Sequence, residues 1–279
     1  MEAQAAQRAP GLHLRPRARA LLAVIRRDYM VARSYRLAFA FDLFFAVLNL
    51  LVAYFVSKTF AGFTSASLGG APSYFDFAAV GLTLSAVVTA TSTGLAARIR
   101  EEQLTGTLEA LVAQPVTPTE LAFGFAGFPI TFSTVRTAAY LLVAGTILGL
   151  DVSQADWPGF VVILLLTATA FVSIGILSGA LVLVVKRADA LAGAIIFALS
   201  LISGAAFPVS VLPPWLETLG KLSPMRPAFD GVRAALFGGN WYGEAIYLAI
   251  FTAVGIPIAI FLFGKALEHG KRTGSLGQY

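Results

Sequence analysis

Cysteine is absent from the 279 residues, so the chain can form neither a disulfide nor a thiolate-ligated metal site. Charge is scarce too: Asp, Glu, Lys and Arg make up 13% of residues, where soluble domains carry roughly 25%. Histidine occurs twice, at His13 and His269 in the terminal segments. That excludes an HExxH helix and a His-clustered metal site. There is no G-x-S-x-G nucleophile elbow. There is also no G-x-x-x-x-G-K-[ST] phosphate loop, so the chain cannot by itself hold ATP in that manner. Carboxylates within the spans are sparse, with Asp42 near the start of the first and Asp76 near one end of the second, and a proton or sodium relay usually needs more. No catalytic pair shares a depth. The expectation is a protein without enzymatic activity and with no metal or cofactor of its own.

What the chain has in abundance is apolar length. Mean hydropathy is +0.79 and hydrophobic residues make up 57%. Residues 77–97, 157–185 and 190–216 carry no charge at all. About 20 apolar residues in a helix cross a bilayer, so the composition is that of an all-α membrane protein with several spans. Six transmembrane helices are expected, at about 37–58, 75–97, 118–150, 158–185, 189–209 and 243–264. Alternating the connections sorts the basic residues. Fifteen Lys and Arg fall on the side of the termini, and four (Lys58, Lys221, Arg226 and Arg233) on the other. This excess predicts both termini in the cytoplasm. The net charge of +5 then calls for no nucleic-acid partner, because an anionic bilayer surface accounts for it.

Residues 1–16, with Pro10, Gly11 and Pro16, are expected to be disordered, and no cleavable signal sequence is expected. Over 17–36, helical periodicity gathers Leu21, Leu22, Val24 and Ile25 on one half. Arg19, Arg26, Arg27 and Arg33 fall on the other, with Asp28 and Arg36 as exceptions. That is the pattern of an amphipathic helix lying in the membrane interface. A basic flank leading into the first span has the same composition, and both readings stand at this point.

Asp42 and Asn49 in the first span and Arg136 deep in the third are the candidate intramembrane polar residues. An unpaired cation at mid-membrane costs at least about 2.5–3.5 kcal/mol. Arg136 therefore has to face protein or a water-filled path. It either links helices or lines a substrate path or subunit interface. Asp42, roughly 8 Å into its span at helical rise, is not an obvious partner for it.

Residues 100–121, "REEQLTGTLEALVAQPVTPTEL", collect four of the fifteen acids. Thr117-Pro118-Thr119-Glu120 is a capping box that starts the third span, which is long enough to bend at Gly127 or Pro129. Gly106 breaks the exit from the second span. A short helix over 107–114 follows, with Leu108, Leu111 and Val112 as apolar knobs and Glu101, Glu102 and Glu109 as an acidic rim; Pro115 stops it. Such a piece is either a docking element or a solvated loop whose leucines dip into the lipid interface. Further on, Pro208, Pro213, Pro214, Pro224 and Pro227 forbid one continuous helix over 189–264. Non-helical backbone at membrane depth survives only when shielded or lining a cavity. Short re-entrant external helices satisfy this; an ordinary loop anchored by Trp215 and Trp241 is the other reading.

The series Glu101-Glu102-x-x-x-Gly106-Thr107-Leu108-Glu109-x-Leu111, with Pro115 following, resembles the cytoplasmic loop of ABC-2 type permeases. These are the membrane subunits of a class of ATP-binding-cassette transporters. Gly204-Ala205-Ala206-Phe207-Pro208, Leu212-Pro213-Pro214-Trp215-Leu216, Ser223-Pro224 and Asp230-Gly231-x-Arg233 are similar to the family's external segment between the fifth and sixth spans. The resemblance covers nearly the whole chain. It implies a permease domain over 37–264, with a coupling loop at 98–117, an external re-entrant segment at 207–240 and a cytoplasmic tail at 265–279. It further implies a second permease copy or paralogue, and an ATP-binding-cassette ATPase on each half that carries the ATP and magnesium. Glu101, Glu102, Gly106, Thr107, Leu108, Glu109 and Leu111 would receive the ATPase. Leu108 and Leu111 would be knobs in its groove, and Glu102 and Glu109 would pair with its basic groups. Phe207, Pro208, Leu212, Pro213 and Trp215 would form the external gate. The implied activity is export of a drug, lipid or lipid-linked glycan across the cytoplasmic membrane of a prokaryote. On the residues alone, an ATPase-independent secondary transporter or channel is the alternative.

Overall fold

The computed structural model describes residues 29–30, 36–59, 68–114, 116–185 and 188–273. Those residues form helices and turns only. In chain order the helices are α1 (Arg36–Thr59), α2 (Tyr74–Leu104), α3 (Leu108–Val112), α4 (Pro118–Ile147), α5 (Trp157–Val184), α6 (Ala188–Ile202), α7 (Pro214–Leu222), α8 (Met225–Leu236) and α9 (Tyr242–Thr273). Four of them, α2, α4, α5 and α9, are long and apolar enough to cross a membrane; α1 and α6 contain shorter apolar stretches.

Local chemistry explains where these helices begin. Ser73 caps α2, its Oγ accepting from Asp76 N–H at 3.2 Å and donating to the Asp76 carboxylate at 2.7 Å. The capping box predicted for α4 is present: Glu120 N–H donates to Thr117 Oγ1 at 3.2 Å, and Thr117 N–H donates back to Glu120 at 2.8 Å. Asp156 caps α5 by accepting from Gly159 N–H at 3.0 Å.

The long helices pack around α5, which runs against α2 on one side and α9 on another. Its sequence is apolar all round, as a centrally buried helix requires. Gly175 brings α5 close to α2; a Cβ there would lie 2.3 Å from the Thr91 carbonyl oxygen. α4 and α6 flank α2, and α1 leans on α2 and α4. Two large apolar cores result, beside a small cluster of Leu68, Ala71 and Phe77. One includes Phe75, Val87, Ile163, Phe171 and Phe229, at the end where α8 closes over α2, α5 and α9. The other includes Ile99, Leu108, Phe125, Ile176 and Phe263, at the opposite end.

Three boundaries differ from those expected. α2 continues past Ala97 to Leu104, because Arg98 pairs with Glu101 (2.5 Å) and approaches Glu102 (3.8 Å), one turn on. The glutamates thus lie in its last turn, ahead of the break at Gly106. The helix expected to reach 209 ends at Ile202, where Gly204 takes φ +97. α9 runs to Thr273, so 265–273, in the segment expected as a cytoplasmic tail, prolong the helix. Ala266 and Leu267 are buried in the second core, which holds the extension down.

Candidate functional site

Three polar features stand out in this apolar bundle: the α2–α3 elbow, the cover made by α7 and α8, and a pocket around Arg136. The elbow is a defined turn. Gly106 takes φ +71, Gly106 N–H donates to the Gln103 carbonyl at 3.1 Å, and Thr107 N–H donates to the Glu102 carbonyl at 3.0 Å. This crossed pair is a Schellman motif, and its left-handed residue is the one where glycine avoids strain. The side chains repeat the closure, because the Thr107 hydroxyl donates to the Glu102 carboxylate.

Glu102, expected among the residues that receive the ATPase, is turned inward in this chain. It is 6% exposed and held between Thr107 and Arg98. Leu108 differs from expectation in the same way. It is 1% exposed and packs in the core with Leu95, Ile99, Leu121 and Phe125. Leu111 and Val112 are half-buried against that core. The exposed residues of this segment are Glu101, Leu104, Thr105, Gly106, Thr107, Glu109, Ala110, Ala113 and Gln114, with Leu104 66% exposed. Sequence reasoning passed over Leu104. Nothing in the sequence marked it, because the burial of Glu102 and Gln103 beside it is decided by packing. Pro115 lies outside the described residues.

At the other end the central group is Arg233 on α8, 1% exposed. Its Nη2 donates to the carbonyls of Gly204 (2.7 Å), Phe77 (3.0 Å) and Ala205 (3.3 Å), and the guanidinium carbon sits 3.5 Å from the Phe77 ring centroid. Burial pushes the guanidinium below its ordinary value, and the nearby Asp230 carboxylate pulls it partly back. Gly204 and Ala205 close the end of α6 through a second Schellman turn, with Ala205 N–H to the Ser200 carbonyl at 3.2 Å and Gly204 N–H to the Leu201 carbonyl at 3.3 Å. Arg233 thus ties α8 to the end of α6 and the first turns of α2. Gly81 leaves room for this clasp; a Cβ there would lie 1.8 Å from the Ala205 oxygen. Tyr74 OH reinforces it by donating to the Ala206 carbonyl at 2.9 Å.

The clasp also accounts for the basic residues in this segment. Lys221 pairs with Glu217 and Arg226 with Asp230 at 3.1 Å, one turn apart on the same helices, while Arg233 is spent on carbonyls. Of the residues expected at a gate, Pro208 is buried, Phe207 and Leu212 are half-buried, and Pro213 and Trp215 face outward. The clasp brings together Phe77, Gly81, Gly204, Ala205 and Arg233. The Asp-Gly-x-Arg motif carried part of this signal, but the partner on α2 carried none.

Arg136 on α4 donates its Nε–H to the Tyr140 hydroxyl and stands 5.1 Å from that ring's centroid. Asn49 on α1 lines the same pocket, with Nδ2 donating to the Phe45 carbonyl at 2.9 Å. The side chain of Asp42, and all of Arg19, Arg26, Arg27 and Arg33, lie outside the described residues. Among the described residues, no three His, Cys, Asp or Glu stand close enough to hold a metal ion.

The described residues thus form a helical bundle with a turn-locked elbow at one end and a proline-rich cover clasped at the other. The family model of the ABC-2 type transporter matches residues 19–237, which include both the elbow and the clasp. Among curated proteins none matches the chain. With more than three quarters of its length matched, the chain belongs to the ABC-2 type transporter family and is a multi-pass membrane protein of the transport apparatus, a component not itself catalytic.

Proposed function

We propose that the chain is the permease subunit of an ATP-binding-cassette exporter. It works as a pair with a second copy or a paralogue, and each copy is driven by a separate ATPase that carries the ATP and magnesium. Six spans, α1, α2, α4, α5, α6 and α9, cross the cytoplasmic membrane of a prokaryote with both termini inside. α7 and α8 form a re-entrant cover on the outer side. The segment before α1 lies along the inner interface, and the cargo is amphipathic or hydrophobic.

The observation that carries this reading is the α2–α3 elbow. ATP hydrolysed on another chain can move helices only through a stiff connection. Here the Schellman turn, the Thr107–Glu102 bond and the buried Leu108 make α3 one piece with the end of α2 and the start of α4. A push on Glu101, Leu104 and Glu109 then reaches α2 without being absorbed in a loop. In this reading Leu108 fastens the lever from inside, and the exposed acids and Leu104 receive the ATPase.

The test is reconstitution. Purified from its native membrane, the chain should bring with it an ATPase, and transport into proteoliposomes should stop when ATP is withheld. Undiminished transport by the purified chain with no ATPase present would refute the proposal and favour a secondary transporter or channel.

A further inference from the structure

Each of the four long helices passes from one large apolar core to the other near its middle. On α2 the core at the clasp end runs to Val88, and the core at the elbow end begins at Leu95. The changeover falls between Ala126 and Leu141 on α4, between Phe171 and Val172 on α5, and between Leu248 and Ala259 on α9. At or beside these places the sequence repeats two tripeptide patterns. α2 carries Ser92-Thr93-Gly94 and α5 carries Ser173-Ile174-Gly175. α4 carries Gly127-Phe128-Pro129 and α9 carries Gly255-Ile256-Pro257. Helices kink at prolines and at Gly/Ser pairs. Pro129 and Pro257 lie inside their helices, so the Phe125 and Ala253 carbonyls lose the donor one turn on.

The four patterns meet in one layer. A Cβ on Gly94 would lie 2.9 Å from Pro129 Cγ, one on Gly175 2.3 Å from the Thr91 carbonyl oxygen, and one on Gly255 2.9 Å from Ser173 Oγ. α2 therefore meets α4 and α5, and α5 meets α9, at glycines that bring the backbones close and place no side chain across the contact. Ser92 is fully buried, and its Oγ has no hydrogen-bond partner among the described residues. A helical serine ordinarily has a carbonyl one turn back within reach. A bend at this level loosens the helical ladder and offers such a hydroxyl an acceptor. Beside the layer, α5 and α9 leave an apolar groove of about 460 Å³ whose lining includes Ser173, Val254, Gly255 and Ile258. There is room for a tilt.

The two ends are each well tied. The elbow-end core holds Leu108 together with Leu121, Phe125, Phe263 and Leu267. The clasp-end core holds Ala205 and Phe229, and it also holds Leu50 and Ala53, the two α1 residues buried in a core. We infer that the layer between them is a joint. The elbow-end block, made of α3 and the adjoining halves of α2, α4, α5 and α9, tilts as a unit against the clasp-end block, which keeps α1 and α8. That the tilt serves ATP coupling rests on the transport reading above; the joint itself does not. Thr119 lies ten residues from Pro129, about 15 Å at helical rise, so a bend of about 20° displaces it by about 5 Å.

The test measures distance distributions between nitroxide pairs on the full chain in detergent, where the lack of native cysteine leaves only the two introduced labels. Phe44→Cys with Thr119→Cys crosses the layer. Phe44→Cys with Leu142→Cys stays within the clasp-end block, and Thr119→Cys with Glu268→Cys within the elbow-end block; all four positions are exposed. The crossing pair should give a distribution at least twice as wide as either control. Pro129→Ala with Pro257→Ala restores both missing donors and should remove at least half of the excess width. A crossing pair as narrow as the controls, or one whose width is unchanged in the double variant, would overturn the inference. The first comparison keeps both prolines, so it decides the matter even if the double variant fails to fold. With the co-purified ATPase, ATP and vanadate should shift the crossing pair by about the displacement given above and leave both controls in place. A wide crossing pair that ignores ATP separates the joint from coupling. A narrow one in a chain whose transport is ATP-driven sinks the joint alone, and a wide one with ATP-independent transport sinks the coupling proposal alone.

Discussion

Replacing Arg233 with methionine keeps a long apolar stem and removes every donor of the clasp. The Gly204 and Ala205 carbonyls lie in non-helical backbone beyond α6. A buried carbonyl deprived of its donor costs about 1–3 kcal/mol. The Phe77 carbonyl loses less, because within α2 it keeps its place in the helical ladder. Loss of stacking over Phe77 adds about 2 kcal/mol at a desolvated site. Against this, the variant no longer buries a charge, which relieves several kcal/mol. The net loss is about 3 kcal/mol, equivalent to a fall in thermal midpoint of about 6–12 °C for a chain of this size. Intrinsic tryptophan fluorescence in detergent reads it directly, since Trp157 and Trp241 sit beside the affected end: Trp241 donates to Asp156 at 2.9 Å, and Asp156 accepts in turn a backbone bond at the start of α5. Gly81→Ala attacks the same contact from α2, where the added methyl would stand 1.8 Å from the Ala205 oxygen. The two changes together should cost less than their sum, because each breaks what the other breaks. Arg226→Met, which removes only a half-exposed pair, should shift stability by less than about 1 kcal/mol. A midpoint in Arg233→Met within 1 °C of wild type, or full additivity with Gly81→Ala, would show that the clasp holds nothing and refute the argument.

Further outcomes can be checked at the elbow. Leu108→Ala should destabilise the purified chain by about 2–5 kcal/mol, as a core truncation does, whereas Leu104→Asp with Glu109→Lys should leave the thermal midpoint unchanged and abolish ATP-dependent transport. The reverse pattern would return Leu108 to the docking surface. Gly106→Ala forces a Cβ into left-handed backbone at φ +71, costing about 1–2 kcal/mol, and transport should fall more steeply than stability as the turn opens. Because the chain is free of cysteine, single-cysteine variants report sidedness without background. An impermeant maleimide added outside cells should label Trp215→Cys and spare Glu109→Cys, and labelling of both would break the proposed topology.

How far the fold could be read in advance varied with the range of the interactions. The capping box at Thr117–Glu120 and the turn at Gly106 are local, their partners lying within five residues, and both were legible. The ends of α2 and α9 were placed too early, because a run of charged residues reads as the end of a span even when one-turn ion pairs and a buried Ala266–Leu267 continue the helix. Leu108 was identified as a knob, but not the direction in which it points. Arg233 was legible as part of a motif, and Tyr140 beside Arg136 not at all.

Apolar length and the lack of charge determined by themselves that this chain spans a membrane repeatedly, and short-range capping determined where several helices start and stop. Which faces turn inward was left to tertiary structure. In a soluble protein, water separates the buried face from the exposed one, and the sequence records the difference as periodicity. In a bilayer, lipid and protein interior are equally apolar, so a helix such as α5 is hydrophobic all round whether or not a given face is packed. Only the packing of distant segments could decide that Leu108 fastens the elbow from within and that Arg233 meets a carbonyl on a helix 156 residues away.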